Sequence, residues 1–301
     1  MSSEFDLSGV HVALTTPFDP ETAVVDHAAL AAHATWLLDN GIDGLVACSP
    51  LGEYPSLDRD ERREVVETVA RVTAGRAKLI VGVSAPNFRI AGDHTAHAAS
   101  LGADAVMLLP PTNHAPTSTE LIDHYRSVAQ YDVPVVVVND PASTHIDLTP
   151  DIVEELGRLD GIAAVVEASG DVRRLLAIAE RAADLQLLCG TDDLALESAL
   201  MGGIGWIGGF TGVLPIETRA LFQLGRSGQV ERALTTYRQM LPLLRWSSRT
   251  RSVEAVKCAL DHLDLPGGGP PRPPRRVVDE IEREIIGHQL ERARRHCMTE
   301  P

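Results

Sequence analysis

The sequence predicts a (β/α)8 barrel followed by a C-terminal helical extension. Eight short apolar runs, rich in β-branched residues and without polar alternation, read as strands covered on both faces of a parallel sheet. A helical pattern follows each run, which favours a closed barrel over an open sheet. Length agrees, since barrels of about 250 residues fold as single units and this chain has 301. An open doubly wound sheet would carry a Gly-rich phosphate turn after its first strand, whereas here that strand leads into Thr15-Thr16-Pro17-Phe18.

The strands are expected at residues 10–14, 44–48, 79–83, 105–109, 134–138, 163–166, 186–189 and 205–207. The first helix starts from the capping residue Asp26, carries Leu30, Ala34, Leu37 and Leu38 on one face and stops at Gly41. Thr149-Pro150 sets a cap residue before a proline at the first helical position. Asp171 opens a helix whose Leu175, Leu176 and Ala179 are expected to face inward. Residues 215–246 read as helix interrupted at Gly225–Gly228, and residues 252–263 as another. A Pro- and Gly-rich stretch, 266–274, then leads to a last helix over 277–294. The division is a barrel over 1–224 and an extension over 225–301, expected to pack outside the barrel.

Composition excludes several functions. With 42 acidic and 27 basic residues the net charge is −15, which argues against general affinity for nucleic acid or an anionic membrane. Cys48, Cys189, Cys258 and Cys297 lie far apart without CxxC spacing, so free thiols are expected rather than a zinc site or disulfide framework. Residues 1–6 lack a basic region followed by an apolar core, so no signal peptide is expected. No apolar run approaches the ~20 residues of a membrane span, and the expected location is cytoplasmic. Arginine replaces lysine throughout, leaving Lys78 and Lys257 alone.

Several segments share an order and spacing. Ala13-Leu14-Thr15-Thr16-Pro17-Phe18 leaves the first strand, and Ser49-Pro50-Leu51-Gly52-Glu53 leaves the second. Val138-Asn139-Asp140-Pro141 ends the fifth, and Val165-Val166-Glu167-Ala168-Ser169-Gly170-Asp171 ends the sixth. Gly190-Thr191-Asp192-Asp193 follows the seventh, Met201-Gly202-Gly203-Ile204-Gly205 enters the eighth, and Leu265-Pro266-Gly267-Gly268 with Arg272-Pro273-Pro274 comes later. Together they resemble the N-acetylneuraminate lyase and dihydrodipicolinate synthase family over nearly the whole chain.

That resemblance implies imine chemistry, in which a lysine amine attacks a keto-acid carbonyl and a tyrosine shuttles protons. It places the lysine at position 166 and the tyrosine at 138, both valine here. It places two threonines where Pro50 and Leu51 stand, an aromatic pair at Pro111-Thr112, and an arginine at Ser143. Lys78 precedes the third strand and Lys257 lies in a C-terminal helix, so neither is expected at the active face. The resemblance further implies a homodimer or homotetramer.

The mouth is expected to be lined by Thr16, Ser49, Tyr54, Ser84, Asn113, His114, Asn139, Asp140, His145, Glu167, Thr191, Asp192 and Thr211, with Pro50, Leu51, Val138, Ser143 and Val166 completing the binding surface. Non-covalent acid–base work would fall to His114, His145, Asp140 or Tyr54. A metal centre using Glu167, Asp140, Asp192, Asp193 and a histidine lacks any HxH or HExxH spacing, and strand alternation turns Glu167 away from the barrel axis, so neither metal nor cofactor is expected. The expected function is binding of a small carboxylate or carbonyl metabolite, with lyase, dehydratase, isomerase or cyclase chemistry that uses no lysine Schiff base. The alternative is a catalytically inactive homologue acting as a binding or regulatory partner.

Overall fold

The computed structural model describes residues 5–297. The signal-peptide reading at residues 1–4 and the side chain of Cys297 lie outside the described residues. Eight strands, β1 (Gly9–Ala13), β2 (Gly44–Ala47), β3 (Lys78–Gly82), β4 (Ala105–Leu108), β5 (Val135–Asn139), β6 (Ile162–Glu167), β7 (Gln186–Cys189) and β8 (Gly205–Gly208), close in sequence order into a parallel barrel. Gly9 pairs with Gly205 where the last strand meets the first. The predicted (β/α)8 barrel is therefore the fold, with each strand ending within a residue of its expected limits.

Alternation along each strand separates two apolar cores. Ala13, Val46, Ile80, Met107, Val136, Val138, Ala164, Val166, Leu188 and Ile207 fill the lumen. Their neighbours Val12, Leu45, Val81, Val106, Val137, Val165 and Leu187 pack outward against the helices. The N-terminal segment stoppers the lower end, where the Gln186 side chain accepts from Leu7 N at 2.8 Å and donates to Phe5 O at 2.6 Å.

Local signals fix the helices. The Asp26 carboxylate accepts from Ala29 N at 2.9 Å at the start of His27–Asp39, which buries Leu30, Ala34, Leu37 and Leu38. Gly41 then turns the chain at φ +79°, a conformation that costs a β-carbon-bearing residue energy. Asp58 and Glu61 form a reciprocal capping box on Arg59–Thr73. Pro150–Gly157 begins as expected, although Thr149 makes no side-chain cap bond. One helical face differs from expectation. In Arg173–Arg181, Leu175 and Ile178 are buried three residues apart, while Leu176 is 48% exposed because it falls on the outward side.

After β8 come Pro215–Arg226, Val230–Leu244, Ser252–His262 and Glu280–Cys297. The stretch joining the last two of these helices lies on the barrel's C-terminal side. It crosses the C-terminal mouth, where Gly267 O accepts from Thr15 Oγ1 at 2.7 Å and Gly269 N donates to Asp261 Oδ1 at 2.7 Å. Cys48, Cys189 and Cys258 are free and buried, and burial pushes Cys48 up to about 11 and Cys189 up to about 12, so both are unreactive thiols. Among the described residues no helix is long and apolar enough to cross a membrane.

A buried histidine beneath this crossing predicts a measurable acid sensitivity. His33 is 1% exposed, its Nε2 lies 3.0 Å from Gly212 O, and burial pushes it down to about 4 from 6.5. Between those values the unfolded chain binds more protons, so stability falls as pH drops through the window. Urea unfolding at pH 4.5 and 7 is expected to show His33→Gln with a smaller acid loss than the parent, and an unchanged acid loss would refute this.

Candidate functional site

Strand ends and the loops after them build the mouth. β5 and β6 run in register with Val138 opposite Val166, and Met107, Ala13 and Ile207 complete an apolar floor of about 140 Å³. Leu51 covers one side of it. Glycine is required at 190, where a β-carbon would lie 2.6 Å from Val166 Cγ1 and 2.7 Å from Ala168 Cβ. Asp140 and Asp192 also reach the floor.

Asp192 is 1% exposed and held from both sides. Trp206 Nε1 donates to one oxygen at 2.9 Å, and Phe210 N and Gly209 N to the other at 3.0 and 3.3 Å. Burial nonetheless pushes its carboxyl up to about 7, against the opposing pull of those donors. Asp140 caps the short helix Pro141–Thr144, accepting from Ser143 N at 3.2 Å.

Above the floor lies an outer cleft of about 420 Å³ walled by Ser143, Ser169, Thr191, Ser248 and Thr250, with Arg249 and Arg275 on its rim. The Arg249 guanidinium stacks 4.1 Å from the Trp246 ring centroid. Arg275 Nη1 meets Glu254 Oε2 at 3.2 Å. A neighbouring cleft of about 600 Å³ runs past Tyr54, Thr112, Ser143 and Arg272. Sequence reasoning missed the 247–252 segment and Arg275 because both follow the barrel. The signal was there in the run Ser247-Ser248-Arg249-Thr250-Arg251-Ser252, too polar for a helix–helix connection to be buried.

Of the residues expected at the mouth, Ser49, Pro50, Leu51, Val138, Asp140, Val166 and Asp192 meet at the floor, Ser143 and Thr191 in the outer cleft, and Tyr54 in the larger neighbouring cleft. Others are structural. Thr16 Oγ1 donates to Gly52 O at 2.7 Å and Thr211 Oγ1 to Gly208 O at 2.6 Å, both fully buried. Asn139 Nδ2 donates to Glu167 Oε2 at 2.9 Å while its Oδ1 accepts from Leu148 N at 3.0 Å, tying β5 to β6. Glu167 thus points away from the lumen. Asn113 is exposed and bonded to Pro86 O at 3.4 Å, and His114 is exposed against Asn113. His145 is exposed at φ 58° after Pro141–Thr144, so the two histidines lie outside the central clefts. Ser84 Oγ accepts from Leu109 N and faces a side cleft with Tyr54 and Arg62. Among the described residues no three His, Cys, Asp or Glu side chains gather at metal-binding spacing.

Lysine placement needs one correction. Lys78 sits at the start of β3, paired with Asp104 at 3.1 Å, at the face opposite the mouth as expected. Lys257 does lie in a C-terminal helix, but that helix returns to the mouth side. Its Nζ is 2.8 Å from Glu53 Oε1, 3.1 Å from Pro270 O and 4.5 Å from the Phe18 ring centroid. With both charged groups 1% exposed, the amine is turned into the second-strand turn and away from the lumen.

A parallel eightfold barrel with clefts at the C-terminal ends of its strands is the architecture in which α/β barrels place their small-molecule sites. Residues 6–293 match the sequence model of the dihydrodipicolinate synthetase family, and the chain belongs to that family. It is 31% identical over 283 residues to the 4-hydroxy-tetrahydrodipicolinate synthase of Caldicellulosiruptor saccharolyticus, covering 94% of this chain and 95% of that one. It superposes on the dihydrodipicolinate synthase of Aquifex aeolicus with a TM-score of 0.89 at 28% identity, covering 95% and 97% of the two chains. A chloride-inhibited dihydrodipicolinate synthase from Acinetobacter baumannii, solved with pyruvate, superposes with a TM-score of 0.90 at 25% identity over 96% and 99%.

Proposed function

We propose that this family member binds a small carboxylate or carbonyl metabolite at the barrel mouth, and that any lyase, dehydratase, isomerase or cyclase chemistry it performs uses no lysine Schiff base. The observation that carries this reading is the pair Val138 and Val166, abreast at the bottom of the pocket. Both of the chain's lysines are engaged elsewhere, Lys78 by Asp104 and Lys257 by Glu53. A nucleophilic amine must reach the carbonyl carbon, and neither can do so without breaking its ion pair. The relatives' names supply the substrate class by analogy only, because one barrel hosts many reactions.

Expected assembly is a homodimer or homotetramer in a cytoplasmic setting. Ile281 and Ile285, 70% and 42% exposed four residues apart on the last helix, offer apolar surface for it.

Borohydride reduction in the presence of pyruvate tests the central claim. No mass increase on any peptide is expected, whereas an adduct on the Lys257 or Lys78 peptide would overturn the reading.

A further inference from the structure

The two levels of the mouth have opposite character. At the floor, Val138, Val166, Met107 and Ile207 give most of the surface around about 140 Å³, with Ser49, Ser247 and Ser252 also on the lining. At the ~30 Å³ that a water molecule occupies in the liquid, this holds about four or five heavy atoms. The ionisable residues lining the floor are Asp140, which also lines the outer cleft, and Asp192, and no lysine or arginine lines it among the described residues. An anionic head group lowered there would lose its hydration and meet acidic groups rather than a counter-ion, which disfavours it strongly.

The outer cleft reverses this. Arg249 and Arg275 line it and do not reach the floor. Each is an exposed guanidinium held in place, Arg249 by stacking on Trp246 and Arg275 by a single contact to Glu254. A guanidinium carries five N–H donors, so most remain free for a ligand. In a chain of net charge −15, two guanidinium groups on one rim are a local concentration of positive charge, set against the Asp140 carboxylate in the same cleft and Glu254 beside Arg275.

We propose that the site takes a small amphipathic carboxylate with its head outward: a short unbranched apolar tail fills the valine floor, and the carboxylate meets Arg275 and Arg249 at the rim. The inference rests on the small-carboxylate reading above and fixes the ligand's orientation and class. A keto acid presenting its carbonyl to an amine at depth would need the reverse polarity.

Titration calorimetry with straight-chain monocarboxylates from propanoate to octanoate, the matching primary alcohols, and pyruvate tests this. Affinity is expected to rise roughly fourfold per methylene, and to level off once the floor is full. Each acid should bind at least tenfold more tightly than its alcohol. Arg249→Ala with Arg275→Ala should abolish that preference while leaving the chain-length slope, and unchanged thermal midpoints would show that these exposed replacements leave the fold intact. Val138→Thr, nearly isosteric, should flatten the slope while keeping the preference. A series without chain-length dependence, or a preference that survives in the double arginine variant, overturns the proposal. Pyruvate binding alongside a flat series overturns it but leaves the small-carboxylate reading standing, and no binding by any acid overturns it together with the carboxylate half of that reading.

Discussion

Lys257→Met is expected to cost about 3–5 kcal/mol, the usual penalty for leaving one member of a buried ion pair without its partner. Against a total stability of about 5–15 kcal/mol, that is a large fraction. The cause is local. Glu53 and Lys257 are each 1% exposed at 2.8 Å, and Glu53 Oε2 also accepts from Arg272 N at 3.0 Å. Burial lowers the pKa of Lys257 and the Glu53 charge opposes that shift, so removing the ammonium strands a carboxylate away from water. The same replacement loosens the segment over the mouth, because Nζ holds Pro270 O and lies over Phe18. The double variant Lys257→Met with Glu53→Gln should recover most of the loss, since two neutral side chains carry no stranded charge. Urea unfolding of the two single variants and the double variant measures the coupling. Strictly additive losses, or a single-variant cost below about 1 kcal/mol, would show that solvent screens this pair as it does surface pairs.

Asp192→Ala should be comparably damaging, for the opposite reason that it strands donors. The indole N–H of Trp206 and the backbone N–H groups of Gly209 and Phe210 would lose their acceptor inside the fold. At about 1–3 kcal/mol for each unsatisfied buried group, the total is on the order of 4 kcal/mol. The wild-type carboxyl also imposes a pH slope. With a folded value of about 7 and an unfolded value of 3.8, the folded state binds the extra proton in between. Stability from this group therefore declines as pH rises from near 4 towards 7 and is level above. His33 acts in the other direction between about 4 and 6.5, so the two partly cancel in the parent protein. Asp192→Ala should unmask the acid loss caused by His33, read as a steeper rise of the urea midpoint with pH. A variant within 1 kcal/mol of the parent, or one with an unaltered pH profile, would refute this.

Much of this architecture was legible in the chain. The eight strands could be placed within a residue because β-branched runs without alternation have few other uses. Asp26, Gly41 and the Gly228 break marked helix ends through local backbone chemistry that depends on nearest neighbours. The floor was legible too, since strand periodicity puts Val138 and Val166 on the same inner side. Leu176 was misplaced because a helix that begins two residues after Asp171 rotates the buried stripe onto Leu175 and Ile178.

Side-chain destinations were less legible. Thr16, Asn139 and Thr211 sit at strand ends, as a mouth residue should, yet each turns its polar group to a backbone or side-chain partner within the wall. Position in a strand fixes only the two faces, and buried polar groups must be satisfied by whatever lies nearest. His114 and His145 entered as acid–base candidates by residue type, but their loops leave them exposed and outside the central clefts.

By itself the sequence determined the barrel, its strand order, its family and the apolar character of positions 138 and 166, because each follows from local periodicity or from ordered motifs. Only the tertiary structure decided that the segment after the barrel returns across the mouth, bringing Arg249 and Arg275 to its rim and burying Lys257 against Glu53. Those contacts join residues roughly 200 positions apart, the separation between Glu53 and Arg272 being 219. No period or spacing encodes such a contact; it exists because closing the barrel fixes where distant loops end, and burial then selects which charges must meet.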